Sequence, residues 1–118
     1  MNLETLLNRL SCAPETVEFV DVMAVIEANY AYQPAAFNNG LGDSAVLNAA
    51  GTNEGSCKIF AFARIQGLNQ ADTLACFGHY YRQDVLENSD GDNHQNIRQF
   101  MLSGWDGIEF TSQALIAK

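Results

Sequence analysis

Leu3, Leu6, Leu7 and Leu10 recur at i, i+3, i+4 and i+7, so they form one stripe of a short amphipathic helix with Asn8 and Arg9 facing outward. The spacing ends that helix near Ser11. Pro14 is placed to begin a second helix, because its missing N–H costs nothing in a first turn and Glu15 and Glu18 complement the positive end of the dipole. Phe19, Val22, Met23 and Ile26 are its buried face. From Asn29 to Phe37 the helical period disappears and aromatic residues gather around Pro34, which predicts an extended edge strand. Asn38 to Asp43 is turn chemistry, and Ala45 to Asn48 returns either as the partner strand of a hairpin or as a single helical turn.

Cys57 to Ile65 satisfies both the helical and the strand period. The Gly55-Ser56 start and the Gly67 stop favour a buried helix with Ser56 as its cap, and a central strand is the alternative. Asn69 is an N-cap with Asp72 in the first turn, and Leu74, Phe77, Gly78, Tyr81 and Val85 predict a helical face running to about Glu87. After the Asn88–Gly91 loop, Asp92 and Gln95 have capping-box spacing, ahead of a helix that turns Ile97, Phe100 and Met101 inward. Gly104 fits a left-handed stop and leaves Trp105 to bury itself against the helix end; Ile108 to Ile116 supply one or two last strands. These elements define an α+β fold over residues 1–118: a mostly helical single domain with a small antiparallel sheet or hairpin.

Charge narrows the partners. Six basic against fourteen acidic side chains give a net charge of −8, which repels polyphosphate and anionic membranes, so nucleic acid and membrane partners are not expected. Apolar stretches such as Ile59 to Ala63 are too short to cross a bilayer, and the first residues carry Glu4 where a leader needs basic charge, which predicts a cytoplasmic chain. Cys12, Cys57 and Cys76 form no even disulfide framework and read as free thiols. Neither His79 nor His94 stands at ligand spacing from them, and a calcium loop counted from Asp90 would place Met101 where a bidentate Glu is required, so no metal and no cofactor are expected.

Two stretches are distinctive: Gly51 to Ala63 (GTNEGSCKIFAFA), and Asp92 to Met101 (DNHQNIRQFM) followed by Gly104-Trp105. With Met23–Tyr30 and Phe77–Arg82, they make the chain resemble the HopJ (HopPmaJ) type III effector family over most of its length. The resemblance implies a single HopJ-like domain from a bacterium, secreted by a type III system in some relatives, and it brings no catalytic residues with it.

Candidate chemistry gathers on the same two stretches. Amides at a helix start attract anions and lower the pKa of a thiol placed there, which makes Cys57 a candidate nucleophile and His94, beside Asp92, a candidate base. The competing reading makes Cys57 a packed small residue and His94 a turn residue. Asn53, Glu54, Ser56, Lys58 and Arg98 are candidate ligand-binding residues around one polar groove, with an Arg98–Glu54 salt bridge as the structural alternative. Three functions follow: a non-enzymatic binding or regulatory module for a protein partner or a small anionic ligand; a small Cys/His-dependent hydrolase or transferase; or a secreted effector acting in a host cell. Oligomeric state is not legible.

Overall fold

The computed structural model describes residues 1–118 and is α+β, as the sequence predicts. In chain order the elements are α1 (Leu3–Cys12), α2 (Phe19–Asn29), β1 (Tyr30–Tyr32), β2 (Phe37–Asn39), β3 (Val46–Asn48), α3 (Glu54–Gln66), α4 (Gln70–Ala75), α5 (Gln95–Ser103), β4 (Ile108–Phe110) and β5 (Leu115–Ala117). All strand pairing is antiparallel. β1 pairs with β5, placing Tyr30 opposite Ala117, and β2 lies between β3 and β4, with Phe37 opposite both Asn48 and Phe110. No helix is long and apolar enough to cross a membrane.

The core is organised around α3. Its Phe60 ring lies 4.9 Å from Phe100 of α5, 5.6 Å from Phe77 and 5.9 Å from Phe37 of β2, mostly in the tilted and edge-to-face arrangements that aromatic quadrupoles favour. Leu6, Leu10, Val22, Val25, Ile26 and Leu115 complete it from α1, α2 and β5. Helix α3 is thus packed from several sides, which is why its apolar residues satisfied two periods at once. Gly67, at φ 68°, ends it as expected.

Five expectations change, and the first concerns Met101, which is exposed on the outer face of α5 although the sequence predicts that it turns inward. Pro14 starts only a tight turn, Pro14–Thr16; Val17 is extended and fully buried, and α2 begins afresh at Phe19. The edge segment divides at Pro34 into β1 and β2, which belong to different sheets. The long helix expected up to Glu87 stops after Ala75, because Gly78 takes φ 59° and an added Cβ there would lie 2.6 Å from the Phe19 amide nitrogen. The chain resumes as a π-helical turn, Tyr80–Val85. Finally, Trp105 is half-buried: its ring packs on Phe100 at 5.2 Å, its indole N–H donates to the Leu68 carbonyl at 3.0 Å, and Gly104 has φ 59° and ψ −152°, outside the left-handed helical region.

Candidate functional site

The helices differ in how they begin. Asn2 and Asn69, both in extended backbone, cap α1 and α4: each Asn Oδ1 accepts from a first-turn amide at 2.8 Å, from Thr5 and Asp72 respectively. Helices α3 and α5 begin otherwise. The residue before each is left-handed, Asn53 at φ 48° and His94 at φ 52°, and these are the only non-glycine residues in the chain with positive φ. Neither side chain caps its helix, so the amides of Glu54, Gly55 and Ser56 in α3 and of Gln95 and Asn96 in α5 find no protein acceptor. Two sequence expectations are thereby corrected. Asn53, not Ser56, occupies the cap position of α3; His94, not Asp92, occupies that of α5, and Gln95 reaches back only to the Asp92 carbonyl.

Both cap-position side chains are committed elsewhere. The Asn53 amide donates to Asn48 Oδ1 at 2.7 Å. That oxygen also accepts from Asn96 Nδ2 at 2.9 Å, while Asn48 Nδ2 returns a bond to Asn96 Oδ1 at 3.1 Å. Asn39 Nδ2 donates to the carbonyl and to Oδ1 of Asn96, at 2.8 and 3.0 Å. Strands β2 and β3 thus hold the starts of both helices through a network of asparagines, of which Asn39, Asn48 and Asn96 are buried. The His94 imidazole turns to Asp84, with Nε2 3.1 Å from Oδ2; a carboxylate only accepts, so Nε2 carries the proton of this bond.

The two open starts face one cleft of about 570 Å³, lined by Asn53, Gly55 and Ser56 from one side and by His94, Gln95, Asn96 and Ile97 from the other. Phe19, Val46, Phe77 and Tyr80 supply its apolar wall. Gly55 permits this arrangement, since an added Cβ would stand 3.0 Å from Cζ of Phe19. Tyr80, on the π-helical turn, packs edge-on against Phe19 at 5.1 Å and has His79 and His94 rings at 4.2 and 5.2 Å. Below His79, Glu18 pairs with Arg82 at 2.9 Å.

Of the residues singled out by sequence, Asn53, Ser56 and His94 meet in this cleft; Cys57, Glu54, Lys58 and Arg98 do not line it. Cys57 is only 1% exposed, and its Sγ contacts the Ala35 carbonyl at 3.6 Å. Burial raises its pKa and outweighs the small lowering from Lys58, the reverse of the activation expected at a helix start. Glu54 is exposed near the Tyr32 hydroxyl, which is buried without a partner in hydrogen-bond geometry; burial first, then Glu54 and Cys57, raise the Tyr32 pKa. Lys58 stands 4.7 Å over the Tyr32 ring in a separate pocket shared with Lys118. Arg98 forms no bridge to Glu54. It donates to the Asn93 carbonyl and Oδ1 at 2.6 Å each and to the Ser89 carbonyl at 3.4 Å, holding the loop that leads into His94. Sequence reasoning missed Phe19, Tyr80 and Asp84 as parts of one site, because they come together only across elements.

The chain belongs to the HopJ type III effector protein family, whose pattern matches residues 3–115. It is similar to the crystal structure of VPA0580, a protein of unknown function, with 51% identity, a TM-score of 0.94, and coverage of 100% of this chain and 95% of that one. No curated protein matches the sequence.

Proposed function

We propose that the protein is a non-enzymatic binding module whose cleft receives a compact anionic group carried on an apolar or aromatic body. The observation that supports this most directly is the convergence of two uncapped helix starts on one concave surface. Helix-start amides and the macrodipole both favour negative charge. Two left-handed non-glycine residues border the same cleft. Such backbone costs of order 1–3 kcal/mol per residue and persists where surrounding structure enforces it, commonly at ligand sites. In this reading the partly exposed rings of Phe19 and Tyr80 contact the body of the ligand while Ser56 and the open amides take its anionic head. The net charge of −8 opposes long-range attraction, so capture rests on short-range hydrogen bonds and apolar contact. The two stretches that carry the family resemblance are these two helix starts.

Amide-resolved NMR titration with inorganic phosphate and with phenyl phosphate tests the reading. Saturable shifts confined to Gly55, Ser56, Gln95 and Asn96, with phenyl phosphate the tighter ligand, are expected. Ser56→Asp puts a carboxylate among the α3 amides; it should abolish those shifts while stabilising the helix start by about 0.5 kcal/mol. Shifts that never saturate, or that survive Ser56→Asp unchanged, would remove the anion site.

Family membership favours a second, compatible reading, that the protein acts as a type III effector inside a host cell. A reporter fusion delivered by a secretion-competent strain and not by a secretion-deficient one supports it; equal absence from host cells with both strains counts against it. The Cys/His-dependent alternative has less support, since Cys57 is buried with a raised pKa and lies outside the cleft that His94 lines.

A further inference from the structure

Three large apolar side chains that the fold leaves in solvent meet at one place. Leu86, Met101 and Leu102 are 48%, 37% and 80% exposed, and all three line a groove of about 240 Å³ between the turn that follows Val85 and the outer face of α5. Val85, Ser89, Gly91 and Arg98 complete it, and none of these residues belongs to the anion cleft. An isolated exposed leucine needs no explanation, but apolar side chains gathered along a groove and rimmed by polar ones mark a docking surface.

The rim says what docks there. Asp84, Glu87, Asp90 and Asp92 all fall in the segment that forms one bank, with Glu87 next to Leu86 and Asp90 between Ser89 and Gly91. Glu87, Asp90 and Asp92 are exposed. Arg98 is the one cation lining the groove, and its donors are directed to Asn93 and to the carbonyls of Ser89 and Asp84. The potential over this apolar surface is therefore negative, within a chain of net charge −8. A second copy of the chain would bring two acidic rims together, and an anionic membrane or nucleic acid is repelled for the same reason.

We propose that this groove docks a basic amphipathic helix of a partner protein. Apolar anchors on one face of that helix sit against Leu86, Met101 and Leu102, while flanking Lys or Arg side chains meet Glu87, Asp90 and Asp92. The proposal does not depend on the anion cleft, because the two surfaces share no lining residue.

The test uses the full chain and a labelled synthetic peptide of Leu and Lys with its leucines on one helical face, followed by fluorescence anisotropy and by amide shifts. Two comparison peptides accompany it: a scramble of the same composition without an apolar face, and a version with Glu in place of Lys. Binding of the patterned Leu/Lys peptide is expected to shift amides around Leu86 and Leu102, to weaken with salt, and to fall roughly tenfold in Leu102→Gln. Leu102 is mostly in solvent, so that variant keeps the fold; Glu87→Gln, also at an exposed position, should weaken binding less. Equal binding of the scramble, or affinity untouched by Leu102→Gln, would show charge attraction without a groove and overturn the proposal. So would concentration-dependent self-association abolished by Leu102→Gln, which would make the face a contact between copies, or binding of this face to anionic vesicles.

Discussion

Helices α1 and α4 begin with an extended asparagine that spends its side chain on the helix, whereas α3 and α5 begin with a left-handed residue that spends its side chain elsewhere. The first arrangement favours stability locally. The second leaves donors free and adds backbone strain, and both instances border the same cleft. Helix α2 stands between them: Glu18 at its cap position is extended yet pairs with Arg82, and no side chain caps it. The difference teaches that an uncapped start needs support from outside the helix. For α3 and α5 that support is the asparagine network on β2 and β3, together with the loop held by Arg98.

Removing that support should break the contrast most severely. Asn48→Ala deletes an acceptor shared by Asn53 and Asn96 and strands the buried amide of Asn96, so it is expected to cost roughly 2–3 kcal/mol, read from the shift in denaturant midpoint. A midpoint unchanged from the native chain would mean that the network merely accompanies the helix starts.

Smaller effects separate the two kinds of cap. Asn69→Ala loses a helix-capping bond and should destabilise by about 1 kcal/mol. His94→Gly replaces a strained left-handed residue by one that adopts the conformation freely, at the loss of the Asp84 bond; stability is expected to stay within about 1 kcal/mol of the native value, or to rise. Should calorimetry give the glycine variant the larger loss, strain would not be what distinguishes these starts.

The smallest effect is confined to alkaline solution. Burial lifts Cys76, at the end of the capped helix α4, from 9.0 to about 12, and also raises Cys57 at the open start of α3. In both, the folded chain holds its proton after the unfolded chain has lost it. The Cys76 contribution is complete below about pH 9 and declines as pH rises toward 12, and Cys57 acts in the same direction, so the unfolding free energy should fall across that window and fall less steeply in Cys76→Ala. Thiol labelling below that window should find Cys12, which is exposed, reacting first.

Much of the fold was legible because local rules sufficed. The Leu stripe gave α1, Asn69 gave the start of α4, and Gly67 gave the end of α3. The Ala45–Asn48 return was a hairpin strand, as one of its two readings held. What failed depended on contacts distant in sequence. Nothing near Leu74 announces that Gly78 must let the chain approach the Phe19 amide, and nothing near Pro14 announces that Val17 will be fully buried. The site followed the same division. Composition and spacing directed attention to both helix starts, and the cleft does lie between them; which way each side chain turned was settled by packing, so Cys57 went inward and Arg98 went to its own loop.

The pairing of β1 with β5 has a consequence for the order in which the chain folds. Tyr30 meets Ala117 and Tyr32 meets Leu115, so this short ladder closes everything that follows α2 into a ring. Joining ends about 85 residues apart costs roughly 4 kcal/mol of chain entropy beyond the constant term, more than so few backbone bonds return on their own. The ladder can therefore form only after α2, α3 and the core between them have already brought its two ends close, and it acts as the clasp of the fold, fastened last.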